Sequence, residues 1–174
     1  MTEADDDRPA LAELMKEALT RAANELIAMR MREGERLSSD MKTRLGVIAD
    51  IREKISERAT LVVEEQRKKL NERIESLLSE TEIDRARLAT EIALFADKVS
   101  IDEELVRLSS HIAAAGELLE NNGPIGRKLD FIVQEMNREF NTIGSKANDK
   151  TIASLVIDGK AELEKMREQV QNFE

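Results

Sequence analysis

The sequence predicts an all-α fold in which long coiled-coil-like helices pack with a C-terminal helical block, and three observations carry that expectation. Aromatic residues make up only 2% of the chain, with no Trp or Tyr, which removes the usual filling of sheets and mixed cores. Two Pro and seven Gly among 174 residues leave long stretches uninterrupted. Apolar residues recur at intervals of three and four along nearly the whole length, the spacing that lines one face of a helix.

After the acidic lead MTEADDDRPA, Pro9 stands where a first helical turn tolerates it, and Leu11, Leu14, Met15, Ala18, Ala22, Leu26 and Met29 keep helical spacing to about residue 32. Gly34 costs a helix interior about 1 kcal/mol relative to Ala, too little to end it, so a continuous or slightly kinked helix is expected through this point. Met41, Leu45, Ile48, Ile55, Ala59, Val62, Leu70, Ile74 and Leu77 continue with coiled-coil-like spacing, as an antiparallel or projecting stalk. SETEID at 79–84 breaks the pattern with capping residues. A helix over 84–99 then places Leu88, Ile92, Phe95 and Val99 on one side. The next, capped within 100–102 and running to 120, has a core side of Leu105, Leu108, Ile112 and Leu119. NNGP at 121–124 is a turn, with Asn and Gly tolerating left-handed dihedrals and Pro stopping the helix. Residues 126–146 form the best-marked helix, with Leu129, Ile132, Val133, Met136, Phe140 and Ile143 on one face. A last helix over 149–172 carries Ile152, Leu155, Val156, Leu163, Met166 and Val170. The organisation expected is a stalk over residues 1–80 and a helical block over 81–174.

Composition excludes several function classes. Without Cys there is no disulfide framework and no thiolate nucleophile or ligand. No apolar run is long enough to cross a bilayer and the N-terminus has no leader pattern, so a cytoplasmic protein without membrane contact is expected. The phosphate loops GxxxxGK[ST] and GxGxxG are absent, as is a Ser-centred elbow. A net charge of −9 repels phosphate, so nucleic-acid binding would need a local basic patch or a bound cation.

The polar side of residues 126–146 is unlike an ordinary Lys/Glu solvent face. It offers Arg127, Asp130, Gln134, Arg138 and Asn141, flanked by Phe131, Glu135, Glu139 and Thr142, with Asn137 on the other flank. Such a set suits a ligand; the alternative is a solvated face tied by i,i+4 pairs such as Asp130 with Gln134. Phe131 would stack a base or, the reading favoured here, bury itself against another helix. In the preceding helix Glu104, Arg107 and His111, the only His, lie within about 60° around the axis, away from the leucines. An imidazole there suits a general base or a metal ligand, and the alternative is a plain surface residue. Glu104 and His111 are two turns apart, about 10 Å, so one ion would need a further ligand from another helix. Carboxylates Glu91, Asp97, Glu103, Glu104, Asp130, Glu135 and Glu139 suit Mg²⁺ or Mn²⁺, although 36 acidic residues place some together by chance.

MREGERLSSDMKTRL at 31–45, EIALFADKVSIDEELVRLSSHI at 91–112, GPIGRKLDFIVQEMNREFNTIGSK at 123–146 and the ending KMREQVQNFE together resemble the C-terminal portion of the bacterial YicC/YloC family. The order GRKLDF, QEMNRE, NTIGSK, REQVQN is specific, and the resemblance runs over essentially the whole chain. It implies a divalent-metal-dependent endoribonuclease that cuts single-stranded RNA and assembles into homo-oligomers, hexamers in the family. Members also carry an N-terminal domain, and this chain begins where that domain would end. The matching polar positions are Glu91, Asp97, Glu103, Glu104, Arg107 and His111, then Arg127, Asp130, Gln134, Glu135, Asn137, Arg138, Glu139, Asn141, Ser145 and Lys146.

Roles within this set are assigned on physical grounds. Glu104, His111, Glu135 and Glu139 are expected around Mg²⁺ or Mn²⁺, with His111, Glu104, Glu135 and Arg107 at the chemistry. Arg127, Gln134, Arg138, Asn141 and Lys146 are expected on RNA. The competing expectation is a helical oligomerisation or RNA-adaptor module that catalyses nothing itself.

Overall fold

The structure, a computed structural model, describes residues 8–77, 85–121 and 123–171 and consists of five helices: α1 Arg8–Leu77, α2 Arg85–Val99, α3 Asp102–Leu118, α4 Gly126–Lys146 and α5 Lys150–Val170. No strand occurs among the described residues, as the composition led one to expect. The SETEID cap at 79–84, Asn122 of the turn and the side chains of Leu70, Ile74, Leu77, Leu88 and Glu91 lie outside the described residues. α1 passes Gly34 without interruption, the continuous helix expected through that point.

The chain divides into two compact units, Met1–Ser39 and Asp40–Glu174. The first is helical from Arg8. Its apolar side chains Leu11, Leu14, Met15, Leu19, Leu26 and Met29 are each more than half exposed, so this stripe finds nothing to pack on within its own unit. The second unit takes in the later part of α1. Met41, Leu45, Ile48, Ile51 and Ile55 are buried with Leu105, Leu108 and Ala115 of α3, Leu129, Val133, Met136, Phe140 and Ile143 of α4, and Ile152, Val156, Leu163 and Met166 of α5. Met41, Leu45, Ile48 and Ile55 of the coiled-coil-like run are thus buried together with residues of the C-terminal helices.

Named contacts give the topology of this core. Arg44 meets Glu162 at 3.0 Å and Arg58 meets Asp149 at 2.8 Å, so α5 runs antiparallel to α1. Arg52 Nε donates to the Leu105 carbonyl at 3.4 Å and Lys42 lies 3.8 Å from Glu120, which makes α3 antiparallel to α1 as well. α4 packs on both α3 and α5. The second unit is therefore a four-helix arrangement in which α1 and α4 occupy opposite corners. α2 contributes no described side chain to the buried cluster; Ile92, Phe95 and Val99 are only half-buried.

Two local features hold α4 and α5 together. In SKANDK, Asn148 takes the left-handed region at φ 42°, tolerated by Asn because its short amide bonds locally. Asp149 then caps α5, accepting from the Ile152 amide at 3.0 Å while Arg58 donates to it. At α3 the expected side-chain cap is absent. The N-cap is buried Ile101, and Asp102, Glu103 and Glu104 in the first turn meet the helix dipole instead. Further along, a Cβ at Gly159 would lie 2.5 Å from Cζ of Phe140, so α5 approaches the ring closer than any other residue type permits.

Gly159→Ala gains about 1 kcal/mol of helix propensity but overpacks Phe140, a clash that costs about 1–3 kcal/mol and wins because the ring is fully enclosed. Denaturant unfolding should show a lower midpoint for this variant, whereas Gly116→Ala, with open space around it, should not lower it. The Arg58 hydrogen bond, reinforced by the Ile152 amide, holds the Asp149 carboxyl below its ordinary value. A depressed carboxylate stabilises the fold above its unfolded value, near 4, and that contribution disappears as pH falls through the lower folded value. Thermal midpoints should therefore fall as pH drops below about 4, and fall less steeply in Asp149→Asn.

Candidate functional site

The α3–α4 interface gathers most of the polar residues singled out in the sequence. The apolar stripe of α4 turns Leu129, Val133, Met136, Phe140 and Ile143 inward, which leaves Glu135, Glu139, Thr142 and Lys146 on the flank towards α3. A short connection makes α3 and α4 antiparallel, so charges on the two helices meet in order. Lys146 Nζ donates to Glu104 Oε1 at 2.7 Å. One level on, Arg107 Nη1 lies 4.0 Å from Glu139 Oε1 and also pairs with Glu103 along its own helix. The same register sets His111 at the level of Glu135, one turn further in each helix, and both are half-buried.

Burial decides the character of this ladder. Glu104 and Glu139 are 4% and 5% exposed, and no other charged residue among those described is as buried. A carboxylate inside a helix interface is retained only when a cation compensates it, and here Lys146 and Arg107 do so from the rim. The compensation of Glu104 is partial: its second oxygen, Oε2, is buried without a hydrogen-bond partner. The sequence reading put Glu104 on the side away from the leucines. In the structure it faces α4 instead, a placement made tolerable by Lys146, 42 residues away.

The remaining candidates lie elsewhere. Arg138 is exposed and reaches only the edge of the ladder, 4.0 Å from Glu135 of its own helix. Gln134 donates to Asp130 at 2.7 Å, the i,i+4 pairing of an ordinary helix face. Asn141 accepts from Lys160 of α5 at 2.9 Å, and Asp130 lies 3.9 Å from Arg167, so this flank of α4 belongs to α5. Arg127 is exposed at the far end, next to Phe131. Phe131 is 62% exposed, contrary to the burial expected of it, because its neighbour Ile132 takes the inward position.

Among the described residues no group of three or more His, Asp or Glu side chains is placed to hold a cation. The donor set nevertheless fits an ion of the Mg²⁺ class in the open manner such ions favour, with one or two protein carboxylates and the rest of the sphere from water and substrate phosphate. Glu104 Oε2 is the observation behind that fit, a buried carboxylate oxygen with its lone pairs unused. The ion pairs that cross between elements escaped the sequence reading. Glu104 with Lys146 and Arg44 with Glu162 join residues far apart in the chain, and no local spacing announces them.

The model of a family described as endoribonuclease YicC-like, C-terminal, matches residues 55–174. The chain is 45% identical over 173 residues to a probable endoribonuclease YicC from Clostridioides difficile, covering 99% of this chain and 59% of that protein. It is 36% identical over 170 residues to a probable endoribonuclease YicC from Haemophilus influenzae, covering 98% of this chain and 58% of that one. The chain thus spans less than two thirds of the length of either relative. No helix among the described residues is long and apolar enough to cross a membrane.

Removing one partner of a buried pair leaves the other charge uncompensated, at about 3–5 kcal/mol when burial is complete. Lys146 is 39% exposed in its side chain, so solvent screens part of that cost and Lys146→Ala should destabilise by about 1–3 kcal/mol. Replacing both partners, in Glu104→Gln with Lys146→Met, should recover most of the loss in chemical denaturation.

Proposed function

The chain belongs to the YicC-like endoribonuclease family, and from that premise we propose that it cuts single-stranded RNA along the α3–α4 ladder. The observation that carries the reading is the conjunction, on one interface, of the only imidazole, two carboxylates buried beside cations, and exposed arginines at the rim. Lys146 and Arg107 sit at the rim, where an approaching phosphodiester competes with Glu104 and Glu139 for them. Arg107 would clamp nonbridging oxygens, and Arg138, exposed beside Glu135, would hold the neighbouring phosphate.

His111 is the group suited to accept a proton near neutral pH, either from a ribose 2′-hydroxyl or from water as it attacks phosphorus. The imidazole is half-buried, so part of it stays accessible. Glu135, at its level across the interface, would orient the imidazole. Glu104 would hold Mg²⁺ or Mn²⁺ through its unpartnered oxygen jointly with water and the RNA phosphate, without the further protein ligands expected at Glu135, Glu139 and His111, and the bound ion would neutralise charge developing on the phosphate.

A second reading is supported by the apolar stripe at Leu11, Leu14, Met15, Leu19, Leu26 and Met29, whose exposure suits contact with further copies of the chain. In that reading the chain assembles a homo-oligomer or recruits RNA, and chemistry lies in sequence that the longer relatives possess. Sedimentation of Leu14→Asp with Leu26→Asp addresses assembly apart from cleavage: a homo-oligomer would lose mass.

With a single-stranded RNA oligonucleotide as substrate, His111→Ala should lower the cleavage rate by about 10²–10⁴-fold, the range for a lost general base. Arg107→Ala should lower it as well, with the far-UV spectrum unchanged. EDTA should stop cleavage and Mn²⁺ restore it if the cation is required. Cleavage by His111→Ala at the unaltered rate would remove the imidazole from the chemistry, and no cleavage by the parent chain with metal supplied would favour the assembly reading.

A further inference from the structure

Beyond the ladder, towards the α3–α4 connection, residues of both helices line a groove of about 480 Å³. Ala114 and Leu118 form its α3 wall, Phe131 and Ile132 its α4 wall, and Arg127 and Lys128 stand at its rim. Phe131 is the one exposed aromatic ring among the described residues, and nothing in the core holds it there, since Ile132 does the packing. The cations of α3 and α4 divide sharply. Arg107, Arg138 and Lys146 each meet a carboxylate, whereas Arg127 and Lys128, the two at this groove, meet none among the described residues.

An exposed ring over an apolar floor, bordered by two uncompensated cations, is the combination that binds a base and its phosphates without reading sequence. We infer that this groove is a stacking subsite for one nucleobase of a single-stranded RNA, with the ring of Phe131 beneath the base and Arg127 and Lys128 on the adjoining phosphates. An exposed ring beside two cations suits an anion that itself carries a stackable base, which RNA has and a second copy of a chain with 2% aromatic residues and an apolar stripe on residues 11–29 offers poorly. Phe131 precedes Glu135 by one turn of α4, about 6 Å along the axis, so a strand seated here runs directly onto the ladder. The subsite rests on the RNA-handling reading above and adds to it the element that holds the strand.

The test is binding of fluorescein-labelled oligoadenylate by anisotropy, with EDTA present so that nothing is cut. Phe131→Ala should weaken binding about tenfold, the loss of one stacked base, and Phe131→Trp should restore it. Arg127→Gln with Lys128→Gln should weaken it and flatten its salt dependence. An abasic ribose-phosphate chain of equal length should bind the parent protein and Phe131→Ala equally. Exposure of Phe131 makes misfolding of these variants testable by an unchanged helical spectrum. Equal affinity of Phe131→Ala and the parent for oligoadenylate would overturn the subsite while leaving the cleavage reading intact. Loss of affinity in Phe131→Ala with no cleavage by the parent in Mn²⁺ would keep the subsite and remove the catalytic reading. A drop in sedimenting mass of Phe131→Ala with unchanged RNA affinity would make the ring a contact between copies and overturn the proposal.

Discussion

Burial of the α4 stripe between α3 and α5 is the constraint from which the rest follows. Leu129, Met136, Phe140 and Ile143 are fully enclosed, and each contributes about 1.5–3 kcal/mol by leaving water. That much apolar area fixes the rotation of α4 about its own axis. Once the rotation is set, Glu135, Glu139 and Lys146 have no choice but to face α3, and Asp130 and Asn141 to face α5. Polar geometry in this protein is a consequence of apolar packing.

The ladder carries a tension that a purely structural interface would avoid. Two carboxylates are buried where Leu or Met would pack without electrostatic cost, and each depends on a cation whose tip remains near solvent. One carboxylate oxygen is left without any partner. By contrast, the ion pairs that clasp α1 to α5 are fully matched. Arg58 is shared by Glu65 and Asp149, and Arg44 by Asp40 and Glu162, with each arginine's proton held more tightly than usual and Glu65, Asp149 and Glu162 held below the ordinary carboxylate range. Satisfied pairs lie along the α1–α5 seam; the strained ones lie on α3 and α4.

Helix positions and the all-α class were legible because helical periodicity is a local property, visible from Leu105 to Leu108 or from Leu129 to Ile143 without knowledge of neighbours. Continuity through Gly34 was legible for the same reason, the cost of one glycine being small. What a single helix cannot show is which flank meets which partner. The coiled-coil-like spacing of Met41, Leu45 and Ile48 reads the same whether those residues line a free stalk or a bundle core. Glu104 read as outward because its neighbours Leu105 and Leu108 claimed the core, and only the presence of Lys146 across the interface explains its burial. Phe131 read as inward because rings are usually buried, while the adjacent Ile132 had the better angle. Of the candidate set, Glu104, Arg107, His111, Glu135, Glu139 and Lys146 converge on one interface; Gln134 and Asn141 were drawn in by residue type and are occupied by Asp130 and Lys160.

The central claim is that RNA lies on the α3–α4 face. Ultraviolet crosslinking of the chain to single-stranded RNA, followed by mass-spectrometric location of the adducts, tests it without reference to catalysis. The account predicts adducts within residues 104–118 and 126–146 and their disappearance in competing unlabelled RNA. Adducts confined to residues 8–39 or to the outer side of α5, with α3 and α4 unmodified, would contradict it.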